Sequence, residues 1–200
     1  MLSLLRLFFR TAGEPLAVAM AGVKMGDRLL MVGCGDPLLV ARLAVKTGLT
    51  GRAFAIDARP ALAAAAEALA PREGALIETA VAPWSALPLE AGSFDVAVVR
   101  QVFGEIAPAE RAACAADVHR VLRPGGRCLV IDPAEPAGLA RFLRRPSSPE
   151  YNAAGGALPV LEQAGFRAAR LLAAREALVF TEAARPNLDT AANPEPEPGT

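Results

Sequence analysis

Metal and disulfide chemistry have little to work with in this chain. It carries one histidine, His119, and three cysteines, Cys34, Cys114 and Cys128, with no C-x-x-C pair among them. A single histidine argues against a histidine-based metal site, and no metal is expected. Three widely spaced cysteines fit a reducing compartment better than a disulfide scaffold, so a cytoplasmic setting is expected. Charge of one sign is also missing: 21 basic residues balance 21 acidic ones, for a formal net charge of +0. Nucleic-acid binding would call for a basic face, so no nucleic-acid partner is expected. No apolar run approaches the length of about 18 residues that spans a bilayer. Aromatic residues make up only 5% of the chain, with one tryptophan, Trp84, and one tyrosine, Tyr151.

Aliphatic residues are plentiful. The chain is 53% hydrophobic over 200 residues, enough for one domain with a substantial core. The N-terminus, "MLSLLRLFFRTAG", is interrupted by Arg6 and Arg10 and lacks the long apolar segment of a secretory signal. Leu2, Leu5 and Phe9 share one face at helical spacing. That face suits packing on the domain, or contact with lipid or a protein partner through residues 1–12, which would make the protein peripheral to a membrane.

Strand-like and helix-like segments alternate. Strands are expected at 27–33, 51–58, 74–80, 93–101 and 127–133, and helices at 37–48, 60–71, 107–126 and 157–165. Two late strands, "FRAARLLAA" and "EALVFTEA", follow. Continuous apolar strands separated by helices imply a mostly parallel sheet covered on both faces. From Arg185 the chain turns to "RPNLDTAANPEPEPGT", a composition that cannot bury a core and reads as a disordered tail. The expected organisation is one domain over 1–184, with residues 1–24 as an N-terminal helical cap, and a tail over 185–200.

The segment "LLMVGCGDP" runs a buried strand into a Gly-x-Gly turn. Gly33 and Gly35 permit a tight turn whose backbone N–H groups face a ligand. In open parallel sheets, ligands bind beyond the carboxyl ends of the strands. Asp57 ends the second expected strand about twenty residues on, where a carboxylate can accept hydrogen bonds from both hydroxyls of a ribose. Together these residues point to an adenosine-type ligand.

"SFDVAVV", "FGEI", "DVHRVLRPGGRCLVID" and "LEQAGF" resemble the class I S-adenosylmethionine-dependent methyltransferases, especially the small-molecule branch typified by quinone methyltransferases. The similarity covers roughly residues 25 to 182. It implies a Rossmann-like α/β fold: a seven-stranded, mostly parallel sheet with helices on both faces and an antiparallel C-terminal hairpin. It also implies S-adenosylmethionine as cofactor and methyl transfer to a small, hydrophobic molecule. Carried over residue by residue, it puts Gly33, Cys34, Gly35 and Asp36 at the methionine end, Asp57 at the ribose, Ala82, Pro83 and Trp84 beside the adenine, and Arg100 and Gln101 near the sulfonium and the acceptor. Tyr151 falls in the segment that family members often use as a substrate lid. It would orient an acceptor or cap a loop. The same lid carries a basic cluster, Arg141, Arg144 and Arg145.

Three positions depart from the family pattern. Met31 stands where an acidic residue is usual, Pro37 where the third glycine is usual, and Pro83 where an aspartate is usual. Asp36 would supply the missing carboxylate, Pro37 suits the first turn of a helix, and Trp84 would cover the adenine by stacking. The alternative is a non-catalytic methyltransferase-like subunit or scaffold with a decayed cofactor pocket. Arg100, a charge directly after an apolar strand, needs a partner: Glu105, Asp132 or the cofactor carboxylate. His119 lies away from the strand ends and is expected on a helix surface. An NAD-dependent oxidoreductase would share the Gly-rich turn and Asp57, but it leaves the Arg-Pro-Gly-Gly string unexplained. A DNA substrate is disfavoured, because no Asp/Asn-Pro-Pro-Tyr/Phe string follows the fourth strand.

Overall fold

A computed structural model of the chain describes residues 14–134 and 148–187. The expected N-terminal contact surface (1–12), Arg141, Arg144, Arg145 and the tail beyond Asn187 lie outside these residues.

The elements follow the apolar pattern of the sequence. They are α1 (Glu14–Ala21), β1 (Arg28–Val32), α2 (Pro37–Thr47), β2 (Arg52–Asp57), α3 (Pro60–Leu69) with a 3₁₀ turn (Ala70–Glu73), β3 (Glu78–Val81) and β4 (Phe94–Arg100). After them come α4 (Pro108–Val121), β5 (Leu122–Pro133), α5 (Pro149–Ala153), α6 (Ala157–Gln163), β6 (Arg167–Arg175) and β7 (Leu178–Ala184). Proline opens α2, α3, α4 and α5, where its missing N–H costs no hydrogen bond.

The seven strands form one sheet in the order β3-β2-β1-β4-β5-β7-β6. The first five run parallel, and β7 pairs antiparallel with both β5 and β6. Alternation along the strands divides the core in two. Leu30, Val32, Ala97, Val99 and Val130 pack on one face with α4 and α6. Leu29, Met31, Val96, Val98 and Ile131 pack on the other with α1 and α2. Strand order reverses between β1 and β4, so the carboxyl ends of β2, β1 and β4 surround the crevice where such sheets bind ligands.

Three details differ from expectation. First, α4 ends at Val121, not at the Gly-Gly pair. Leu122 is already extended and pairs with Phe94, and the register shifts before Val96 pairs with Arg127. Arg123 to Gly126 therefore form a bulge inside β5. Gly125 has φ +74°, and a Cβ on Gly126 would stand 2.7 Å from the Arg123 carbonyl oxygen, so side chains are excluded there. Second, Arg185 belongs to the fold. Its N–H donates to the Gly126 carbonyl at 2.8 Å, and its guanidinium reaches the carbonyls of His119, Arg120 and Leu122 at the C-terminal end of α4. Third, β3 is shorter and later than the apolar run predicts. It is an edge strand with only four paired residues.

Candidate functional site

The turn after β1 is built on close backbone approach. Gly33 adopts φ +97°, and a Cβ there would lie 2.4 Å from the Arg100 carbonyl oxygen. Only glycine fits where β1 and β4 come together. Gly35 is exposed, and a Cβ on it would meet nothing nearer than the Arg100 guanidinium at 3.7 Å. Cys34 is fully buried, and burial pushes its thiol up to about 12, so its part in the turn is played by its backbone. Asp36 caps α2 by accepting from the Leu39 N–H at 3.3 Å, and Pro37 takes the first helical position. Pro37 thus stands in the first turn of a helix, the position it was expected to suit. Met31 packs into the apolar core with no exposed surface and offers no polar contact to replace the usual acid.

Arg100 finds its partner in Asp36, at 3.2 Å, rather than in either side chain the sequence suggested. Glu105 instead faces Arg59, and Asp132 accepts from the Tyr151 hydroxyl at 2.6 Å. Arg100 also reaches the Gln101 side chain at 3.3 Å. Gln101 holds φ +53°, a left-handed conformation uncommon for a non-glycine residue, and its N–H donates to the Ile131 carbonyl at 2.9 Å. Asp36, Arg100 and Gln101 thus meet at the carboxyl ends of β1 and β4.

Asp57 ends β2 with no exposed surface. Its Oδ2 accepts from the Cys34 N–H at 2.7 Å, which ties the Gly-x-Gly turn to the second strand, and its Oδ1 accepts from the Arg59 N–H at 2.9 Å. The Arg59 guanidinium then closes on the same carboxylate, Nε to Oδ1 at 2.9 Å and Nη2 to Oδ2 at 3.2 Å, while Nη1 reaches Glu105 at 3.3 Å. The hydrogen bond to Asp57 raises the Arg59 pKa further. A cation at this point opposes the positive end of α3, so Asp57 also compensates the helix dipole. Sequence reasoning missed Arg59. The available signal was a charged residue two places after the ribose aspartate, at an N-cap that Ser, Thr, Asp or Asn usually fills.

Two sequence-predicted residues lie deeper than expected. Trp84, in the loop after β3, is 8% exposed and packs in the α4-side core together with Ala82 and Leu87. Tyr151 sits in α5 rather than a loop and is 1% exposed. Its ring lies under the Arg111 guanidinium at 4.6 Å, and its hydroxyl holds Asp132 at the end of β5. Burial raises the Asp132 carboxyl to about 6 and pushes the Tyr151 hydroxyl up. Beside Tyr151, a cavity of about 460 Å³ is bordered by Arg111, Pro159, Val160 and Gln163. His119 lies in the last turn of α4, away from the strand ends as expected, but it is half-buried rather than on the helix surface, its ring edge-on against Phe166 at 4.9 Å. Among the described residues, no group of three or more His, Cys, Asp or Glu is placed to hold a metal ion, and no helix is long and apolar enough to cross a membrane.

A glycine turn and a carboxylate at the switch point of a 3-2-1-4-5-7-6 sheet define a class I methyltransferase-type fold. Residues 30–130 match the family described as "Methyltransferase domain", and the chain belongs to that family. The fold is shared with a SAM-dependent methyltransferase from Aquifex aeolicus, at a TM-score of 0.69 and 20% identity, covering 86% of this chain and 89% of that one. It is shared too with a Burkholderia thailandensis 1,6-didemethyltoxoflavin-N1-methyltransferase, solved with bound 1,6-didemethyltoxoflavin and S-adenosylhomocysteine, at a TM-score of 0.62 and 20% identity, covering 88% and 79% of the two chains. A curated relative, an uncharacterized 37.1 kDa protein in a Streptomyces fradiae transposon, is 32% identical over 108 residues. The match takes in 54% of this chain and 30% of that relative's length.

Proposed function

We propose that this protein uses S-adenosylmethionine to methylate a small molecule. The observation that carries the reading is the 2.7 Å bond from the Cys34 N–H to Asp57 Oδ2. It joins the glycine turn and the ribose-type carboxylate into one cradle, with Gly33 pressed against β4 and Gly35 open. The residues present fit the cofactor in charge as well. Among the described residues, three carboxylates, Asp36, Asp57 and Glu105, face two guanidiniums, Arg59 and Arg100. That leaves one net negative charge for a ligand whose sulfonium, ammonium and carboxylate sum to one positive charge.

In this reading Gly33, Cys34, Gly35 and Asp36 hold the methionine end, Asp57 holds the ribose, and Ala82 and Trp84 border the adenine. When bound, the cofactor supplies an electrophilic methyl group on a sulfonium. The protein's task is alignment and exclusion of water. Arg100 and Gln101, at the end of β4, orient the reacting groups, and Tyr151 acts through Asp132, since its own hydroxyl is buried. A small acceptor is supported by the small-molecule substrate of the Burkholderia neighbour. A hydrophobic acceptor rests on the sequence resemblance, since Val102 and Phe103, which follow Gln101, are buried in the protein's own core.

Titration calorimetry with S-adenosylmethionine and S-adenosylhomocysteine tests this function. Micromolar binding that Asp57→Ala abolishes is the expected result, and no heat at millimolar ligand refutes it. The lone tryptophan gives a second measurement. Saturable quenching by S-adenosylhomocysteine is expected if Trp84 borders the adenine. Unchanged emission alongside calorimetric binding makes Trp84 a packing residue only. One observation favours a second reading, a non-catalytic subunit with the same fold: the Asp57 carboxylate is already fully engaged, by the Cys34 N–H and by Arg59.

A further inference from the structure

The Asp57 carboxylate is a saturated acceptor. A carboxylate offers about four lone-pair sites, and here it receives four hydrogen bonds. Two come from the backbone, from Cys34 and Arg59, and two from the Arg59 guanidinium. The backbone bonds belong to the turn and persist whatever the side chain does. The guanidinium bonds occupy the remaining two sites, the same number that a vicinal diol donates. Asp57 has no exposed surface, so nothing can add to it without displacing something.

Arg59 is free to be displaced. Its side chain is 43% exposed, and Nη1 already touches Glu105, which is itself exposed on the turn after β4. A buried carboxylate cannot be left unpaired, so Asp57 always requires donors. The arginine supplies them in the absence of a ligand.

We propose that Arg59 is an internal competitor for the ribose site: ligand hydroxyls take Asp57 only by exchanging, two bonds for two, with the Arg59 guanidinium, which then rests on Glu105. This rests on the methyltransferase reading above. The exchange sets the affinity of the site and selects for a ligand with both ribose hydroxyls, since one donor cannot replace the bidentate pair. It also reconciles an intact glycine turn with an engaged carboxylate, without requiring the pocket to be lost.

Calorimetric titration of the full-length protein with S-adenosylhomocysteine tests the exchange. Arg59→Ala and Arg59→Gln, at an exposed position, are expected to bind between about tenfold and a hundredfold tighter than the unaltered protein, the size of a charge-assisted bidentate contact. Glu105→Gln removes the resting place and is expected to weaken binding several-fold, but to change nothing in the Arg59→Ala background. A 2′,3′-dideoxy analogue is expected to gain far less from Arg59→Ala than the parent ligand does. If the unaltered protein binds S-adenosylhomocysteine and both Arg59 variants bind equally or more weakly, the competition is wrong and the methyltransferase reading stands. If neither the unaltered protein nor any variant gives heat at millimolar ligand, both are wrong.

Discussion

Gly33 and Asp132 show how differently single residues act around this site. Gly33 is confined by backbone on two counts, its positive φ and the Arg100 carbonyl oxygen 2.4 Å from where a Cβ would be. Neither can yield without parting β1 from β4. Gly33→Ala is therefore expected to cost about 3 kcal/mol or more in urea unfolding, and to abolish ligand binding in whatever fraction still folds. Asp132 is confined by solvation. Burial lifts its carboxyl from the ordinary 3.8 to about 6, against the Tyr151 hydroxyl and the Arg111 guanidinium, both of which favour the charged form. A carboxyl raised in the folded state contributes most below its unfolded pKa and loses that contribution as pH rises through about 6. Asp132→Asn is thus expected to be more stable than the unaltered protein above pH 7, on the order of 1–2 kcal/mol, with the difference closing toward pH 4. Paired denaturant titrations at the two pH values measure this, and a pH-independent difference would exclude the solvation account.

At the scale of elements, the β6–β7 hairpin turns through Glu176 and Ala177, at φ +54° and +60°. A two-residue turn with both residues left-handed is the geometry that Asn-Gly fills without strain. Replacing Glu176–Ala177 by Asn–Gly is expected to raise the melting temperature, with a gain of about 1–2 kcal/mol. A fall in melting temperature would mean that the side chains at 176 and 177 contribute more than the backbone strain they impose. The β5 bulge follows a related rule with the opposite outcome. There the glycines are already present, and the Arg-Pro-Gly-Gly string serves the strand rather than the helix end.

For the molecule as a whole, Arg185 joins distant parts of the chain. It follows the last strand and caps carbonyls at the end of α4, and its backbone is bonded to Gly125 and Gly126 in the bulge of β5. Removing its side chain leaves those helix carbonyls without their cation. Arg185→Ala is expected to lower global stability by about 1–3 kcal/mol while leaving ligand affinity unchanged, because the bulge lies at the end of the sheet opposite the site. Thermal unfolding together with calorimetric titration separates the two effects. A loss of affinity in a folded Arg185→Ala protein would contradict the placement.

Periodicity and punctuation in the sequence determined the order of the main strands and helices, the parallel core of the sheet and the glycine turn, while the antiparallel ending followed from the family resemblance. The first three depend on local rules: apolar runs of strand length, proline at helix starts, and glycine where the backbone must turn tightly. Pairing across the chain was decided only by the tertiary structure. Arg100 could be seen to need a carboxylate, but Asp36, 64 residues away in sequence, became its partner because the turn after β1 meets the end of β4 at the switch point. Tyr151 could be seen to fall between the fifth strand and the next helix, and the resemblance put Trp84 beside the adenine, but their burial depended on helices packing over the sheet. Asp57 could be assigned to a ribose from its place alone. That Arg59 already holds it, and Glu105 with it, depends on the path of one flexible side chain between β2 and the turn after β4, a path that no local pattern encodes.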